Sequence, residues 1–550
     1  MRRRLRPAPL RPAAAWVAAG LGLAVLAAAP AAPAAAQALR IATSAEPTSA
    51  DPHNYRLTPN SSLRDHLFEG LTGLAPDLRV VPRLAESWAR EDDRTWVFRL
   101  REGVRFHDGT PLAAQDVVFT ACRVLNNPEE VTGSYSSDVR RLAAVEARDA
   151  RTVVVRTPEP EPLLDAELAG LAILPRTLGR AEPPVTFSAS DGCAGQGPWP
   201  NKAAFDEGRA VVGTGPFRLR SFARTGPILL DRHEGYWGDR PHWAEVRVTP
   251  VTQAGPRLAG LLAGDSDLAE APATADLARL RADPNFAVAE ARTTRLIFLQ
   301  LDTAREASPT AAGGAAPNPL RDARVRRALS LALDRRAIAE RLMDGTATPT
   351  VQVLHEGMNG VVPGVPVPAA DPARARALLA EAGFPAGFAV TISGTNNRYV
   401  NDARLLQAVA QMWQRVGVRA EVDAMPAAAY FGRRARREFS VALGGYSVEA
   451  EDALLFFRTW LATTDRARGA GTSNYGGWSD PDFDAALAPA MVAMDREARG
   501  EHLRQAGRVM MEAMPVVPIH FEGAAWAMRR GLAYAGRADQ VTLAQDVRPR

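Results

Sequence analysis

Apolar and polar residues alternate in several short stretches of this chain. In Thr95-Trp96-Val97-Phe98-Arg99-Leu100, the side chains of Trp96, Phe98 and Leu100 share one face. That is the period-two pattern of a half-buried strand. Arg151-Thr152-Val153-Val154-Val155-Arg156 predicts a second strand, closed by Pro158 and Pro160. Further strands are predicted at 216–220, 245–249, 295–301, 388–393 and 418–422. Helical spacing appears elsewhere. Asp371-Pro372 opens a stripe of Leu378, Leu379 and Ala382, and Gly383 follows. An N-cap, a proline at the first helical position and a C-terminal glycine bracket that helix. Asp480-Pro481 opens another, with Asp482 and Asp484 at its positive end. Val325, Ala328, Leu329 and Ala332 mark one face of a third. Strands and helices mix throughout, which makes the class α/β or α+β.

Residues 304–319, rich in Ala, Gly, Pro and Ser, predict a surface loop, and 191–200 a second irregular stretch. Arg433, Arg434, Arg436 and Arg437 form a basic cluster. Without interleaved aromatics it reads as a solvated helix face rather than a nucleic-acid patch. The chain start carries a different pattern. Arg2, Arg3, Arg4, Arg6 and Arg11 precede an apolar stretch at 13–29 and a small-residue run at 31–38. This order is that of a secretory signal peptide, with cleavage expected near residue 38. A membrane anchor is the competing reading. The Ala-rich run and the following Pro30 and Pro33 favour cleavage.

The 550 residues exceed what one core usually serves, so at least two domains are expected. Their 46% apolar content excludes a disordered chain. The formal charge of +4 resides in the leader, because removing residues 1–38 takes away five arginines and no acid, leaving −1. Nucleic-acid binding loses its support with them. Cys122 and Cys193 are the only cysteines. Export permits a disulfide between them, and the alternative is two buried thiols.

Common catalytic signatures are missing. There is no G-x-S-x-G elbow and no H-E-x-x-H pair. Gly213-Thr214-Gly215 lacks the Lys-Ser/Thr of a phosphate loop and reads as a tight turn. His107-Asp108-Gly109 invites a catalytic reading, but Asp-Gly after a strand is a turn former. Trp88, Trp96 and Trp237 read as core aromatics.

Residues 66–122 carry a more specific signal. Pro82, Leu84-Ala85-Glu86-Ser87-Trp88, Leu100-Arg101-Glu102-Gly103-Val104, Phe106-His107-Asp108-Gly109 and Asp116-Val117-Val118-Phe119 occur in order. Gly213-Thr214-Gly215-Pro216-Phe217, Tyr236-Trp237-Gly238, Arg324-Val325-Arg326-Arg327-Ala328-Leu329 and Asn474-Tyr475 follow. As a set these strings resemble extracytoplasmic solute-binding protein family 5, the dipeptide- and oligopeptide-binding proteins of ABC importers.

The resemblance implies an α/β, two-lobed periplasmic-binding-protein fold of type II with a hinge between the lobes. Lobe I would take residues 39–298, with an extra subdomain at about 81–210, and residues 516–550; lobe II would take 299–515. Crossover strands are expected near 297–301 and 515–519. The implied function is capture of a peptide or peptide-like solute and its delivery to inner-membrane permease subunits. The protein would be a periplasmic monomer without catalysis, cofactor or metal. Glu449 falls where the peptide-binding relatives carry an ammonium-binding aspartate, in Gly444-Gly445-Tyr446-Ser447-Val448-Glu449. Tyr446 replaces the usual Trp, and the following Asp-Pro becomes Asp452-Ala453. Arg398-Tyr399 resembles the segment carrying a carboxylate-binding Arg, and Tyr135 is a candidate cleft residue of the first lobe. These departures leave room for another solute: a metal chelate, haem, glutathione, an opine or an oligosaccharide. An exported hydrolase is the alternative from a different class.

Overall fold

The computed structural model describes residues 38–127, 135–179, 185–195, 197–312, 317–448, 450–465 and 468–550. The expected leader lies outside these, apart from Ala38. The main sheet contains β1 (Ala38–Thr43), β2 (Phe217–Ser221), β3 (Ile228–Arg232), β4 (Glu245–Pro250), β5 (Leu268–Glu270), β6 (Phe286–Leu301), β7 (Ala389–Thr395), β8 (Arg419–Met425), β9 (Val441–Ser447) and β10 (Val516–Arg529). Its order is β2-β3-β4-β1-β5-β10-β6-β9-β7, with β8 alongside β7. Parallel pairs (β1 with β4, β7 with β8) and antiparallel pairs (β6 with β10, β6 with β9) coexist, so the class is mixed α/β.

The two longest strands, β6 and β10, lie side by side at the centre of this order and join two apolar cores. One core gathers Leu39, Phe98, Phe119, Phe217 and Trp526. The other side holds Ile297, Leu329, Ile392, Trp413 and Ile519. A third cluster around Phe298, Phe456 and Trp460 packs beside the second and reaches Leu163 and Ala166 of the first side. The β6–β10 register shifts between Arg292 and Leu296 and again between Ile297 and Phe298. Such irregularities bend and twist a strand pair where it passes between bodies.

A separate six-stranded antiparallel sheet includes Ala85–Asp92, Thr95–Leu100, Ala144–Ala147 and Thr152–Arg156. Its register sets Trp96 opposite Val155 and Phe98 opposite Val153, as the alternation requires. Cys122, on the helix Ala114–Leu125, is bonded to Cys193, with Cα atoms 5.8 Å apart. That bond ties the helix to an edge strand of this sheet.

The helices begin where the chain signals them. Asp371 accepts a bond from the Arg374 amide ahead of Pro372–Glu381. Asp480 accepts from the Asp482 and Phe483 amides ahead of Pro481–Val492. One loop expectation is revised: within 304–319, Ala311–Ala312 pairs with β7, and Asn318 is buried, bonding to the Asp302 and Arg305 carbonyls. Its small residues allow close attachment to the sheet edge. Among the described residues no helix is long and apolar enough to cross a membrane.

Candidate functional site

A cavity of about 1880 Å³ lies between the two sides of the molecule. It exceeds the ~300–1,000 Å³ of an ordinary small-molecule pocket. Its walls come from both sides. The 55–83 region, Tyr135, Asp138, Glu167 and Trp237 line one; Arg398, Tyr399, Arg434, Tyr446, Arg458 and Trp460 line the other.

The loop carrying Arg398 and Tyr399 is held by Asp402, which is 3% exposed. One of its carboxylate oxygens accepts from the Thr395 hydroxyl at 2.6 Å and from the amides of Arg398 at 3.0 Å and Tyr399 at 3.2 Å. The Val400 amide donates to Glu522 at 2.8 Å. Tyr399 lies against Gly445, where a Cβ would come within 2.3 Å of its ring. The neighbouring Gly444 admits Phe298 in the same way. The Gly444-Gly445 pair of β9 is thus explained by two aromatic rings that approach its backbone.

The electrostatics around Arg398 are unbalanced. Arg295, in β6, donates to Gln540 at 2.5 Å and Thr58 at 2.7 Å and faces Glu522 at 3.6 Å. Burial, then the nearby Arg398 charge, lowers the Arg295 guanidinium to about 10. Burial raises the Glu522 carboxyl, and Arg295 and Arg398 pull it down. Two guanidinium groups therefore act on one buried carboxylate. The Arg398 side chain itself has no ion pair or side-chain hydrogen bond among the described residues, and its charge sits 5.4 Å from the Tyr399 ring centre.

Three other carboxylates of the cleft are occupied. Glu69 accepts from Trp237 at 2.7 Å, Tyr236 at 2.9 Å and Thr214 at 3.0 Å. Glu167 pairs with Arg458 at 2.6 Å and with Arg141. Asp138 pairs with Arg56, whose guanidinium lies 4.1 Å from the Tyr135 ring centre. The Tyr135 hydroxyl is bonded by Arg64. Asp452, which follows the expected ammonium-binding string, faces inward. It bonds Arg499 at 2.9 Å and Asn359 at 2.8 Å.

Four residues singled out from the sequence, Arg398, Tyr399, Tyr446 and Tyr135, thus line one cavity. Glu449 lies outside the described residues. Two expectations change. Trp237 lines the cavity as well as packing against the first core. Arg434 leaves the solvated face: it is 7% exposed and points to Trp460 and Tyr475, each 4.8 Å away. Its neighbours Arg433 and Arg436 do remain outside, paired with Glu438. The available signal was Tyr430, four residues before Arg434 and therefore on the same helix face. Tyr430 is fully buried and donates to the Leu443 carbonyl at 2.5 Å.

The turn motifs carry structure rather than chemistry. Asp108 accepts from the Thr110 amide and hydroxyl, closing the turn. His107 shares bonds with Gly213 and Gly215. A Cβ on Gly213 would sit 2.0 Å from the Leu67 carbonyl oxygen, so the G-x-G string permits close backbone approach. No group of three metal-ligating side chains occurs among the described residues.

Comparisons with known proteins agree with this architecture. The dipeptide-binding protein of Escherichia coli K12 is 27% identical over 461 residues, covering 80% of each chain. The glutathione-binding protein GsiB of Salmonella typhimurium is 27% identical over 522 residues, covering 92% of this chain and 93% of that protein. The fold matches that of the periplasmic binding protein DppA from Helicobacter pylori, solved with peptide STSA. The TM-score is 0.78 at 20% identity, over 93% of this chain and 98% of that one. This is the two-lobed type II binding-protein fold. Residues 79–468 match the family described as bacterial extracellular solute-binding proteins, family 5 Middle. The chain belongs to the bacterial extracellular solute-binding proteins of family 5.

Proposed function

We propose that this protein captures a peptide or peptide-like solute between its lobes and delivers it to the permease of an ABC importer. Lobe I comprises residues 39–298, with the subdomain at about 81–210, and 516–550; lobe II comprises 299–515. The central strand pair β6–β10 is the hinge about which the lobes close. The protein acts in the periplasm as a monomer, after loss of residues 1–38, and leaves its solute chemically unchanged. The observation that carries the reading is the interlobe cavity, lined by Arg295 and Arg398, two cations that act on the one buried carboxylate of Glu522. A carboxylate completes that charge set, and a guanidinium can bind it bidentately.

Arg398 takes the solute carboxylate, while Tyr399, Tyr446 and Tyr135 flank its main chain. Glu449 takes the ammonium, by its place in the sequence. The test is calorimetry of mature protein against di- and tripeptides. Binding of at least one peptide, weakened by ~1.5–3 kcal/mol in Glu449→Gln, is expected. No response to any peptide overturns the peptide reading, and unchanged affinity in the variant overturns the role of Glu449.

A second reading keeps the cleft and changes the solute. It is favoured by Asp452, whose carboxylate is spent on Arg499 and Asn359. Relatives include proteins named for glutathione and haem, and a matching fold is solved with agropinic acid. Native mass spectrometry of protein as purified separates the two readings by the mass of what is retained.

A further inference from the structure

The basic cluster at 433–437 places one cation where the solute-capture reading assigns no role. Arg434 is carried by the helix Ala427–Ala435, which Tyr430 pins to β9. Its guanidinium borders the cavity, 4.8 Å from the ring centres of both Trp460 and Tyr475 and 5.8 Å from that of Phe431. The Tyr430 hydroxyl is a polar side-chain neighbour. Arg434 makes no ion pair among the described residues. A cation so far removed from water loses hydration that ring faces restore only in part. Three other cleft arginines are matched: Arg56 by Asp138, Arg458 by Glu167, Arg537 by Asp539. Arg434 is separate from the Arg398 position, where Arg295 and Glu522 already gather.

We infer that Arg434, boxed by Trp460, Tyr475 and Phe431, is a second anion subsite, and that the solute carries two carboxylates, one for Arg398 and one for Arg434. The rings orient the planar guanidinium and leave its N–H edge for a planar carboxylate, which fixes the second acid by geometry as well as charge. This inference rests on the solute-capture reading and narrows its substrate class to acidic peptides or peptide-like di-acids.

The test is calorimetry of the full mature protein with Ala-Glu-Ala and Ala-Gln-Ala, which differ only in the side-chain carboxylate, and with an N-carboxyalkyl amino acid as a non-peptide di-acid. We expect Ala-Glu-Ala to bind about 10- to 100-fold more tightly than Ala-Gln-Ala. In Arg434→Gln that ratio should fall to about one, and Arg434→Lys should restore part of it. Equal affinity of the two peptides for the wild-type protein overturns the inference without any variant. So does a ratio that survives in folded Arg434→Gln, or failure of all three probes to bind. Binding of the N-carboxyalkyl amino acid alone, lost in Arg434→Gln, supports the second subsite while overturning the peptide reading.

Discussion

Arg458 provides a measurable handle on lobe closure. It comes from the side of the cleft that carries Trp460, yet its Nη2 lies 2.6 Å from Glu167 and its Nη1 3.3 Å from Glu161, both on the opposite side. Arg141 bonds the same two carboxylates. The four side chains are between 4% and 16% exposed. Two cations and two anions balance across the cleft, so this quartet favours the closed arrangement if the lobes part on release. In Arg458→Met the unbranched apolar stem is kept but two charge-assisted bonds vanish. Glu161 and Glu167 then share Arg141 alone, with one negative charge in excess. Hydrogen bonds to charged groups contribute ~1.5–3 kcal/mol each, and the open form recovers part of this from water. A net shift of about 1.5–3 kcal/mol lowers the closed-to-open ratio ~10- to 150-fold. Solute affinity falls in step when the closed state is the one that holds it. Small-angle scattering or an interlobe spin-label distance reads the first quantity, and calorimetry the second. A double-mutant cycle with Glu167→Gln isolates the pair. An unchanged interlobe distance distribution, or a coupling energy near zero, would refute the latch.

Other outcomes follow from the same geometry. Arg398→Gln should weaken a carboxylate-bearing solute by ~1.5–3 kcal/mol in calorimetry, and an unaltered dissociation constant contradicts its role. Acidification should destabilise the fold through its buried histidines. Burial lowers His53, His107 and His520 to about 3 and His66 to about 4. Because the unfolded chain takes up protons near pH 6.5 and the native state does not, stability falls as pH drops from about 7 toward 4. Each such residue costs roughly 2 kcal/mol between pH 7 and 5. His520, whose ring nitrogens have no hydrogen-bond partner among the described residues, tests this: urea unfolding of His520→Met should lose that share of the pH slope, and an unchanged slope counts against it. Replacing both Cys122 and Cys193 by Ser should lower stability by ~2–5 kcal/mol in denaturant unfolding, and equal midpoints would show that the bond adds nothing.

Much of the fold was legible because its signals are local. The alternation of Trp96, Phe98 and Leu100 and the caps at Asp371 and Asp480 each report their own few residues. The family strings carried the architecture, since no periodicity announces that 286–301 and 516–529 become neighbouring central strands. The candidate site was legible only in part. Arg398 and Tyr399 sit in a recognisable segment, whereas Asp402 becomes their anchor only when three donors converge on it. Arg434 was hidden among four arginines. A helix turns Arg433 and Arg436 to solvent carboxylates and Arg434 inward, and the rings that receive it lie 26 and 41 positions later in the chain. A far longer separation, 291 positions, conceals Glu167 from Arg458.

The central claim is that the interlobe cleft holds a solute and leaves it unaltered. Native mass spectrometry of the mature protein purified from its host, followed by denaturation and identification of the released molecule, tests it most directly. The expected result is a 1:1 complex with a peptide-like di-acid whose mass is the same before and after prolonged incubation. A released molecule that is converted during incubation, or a retained solute with neither a carboxylate nor a peptide-like backbone, would contradict it.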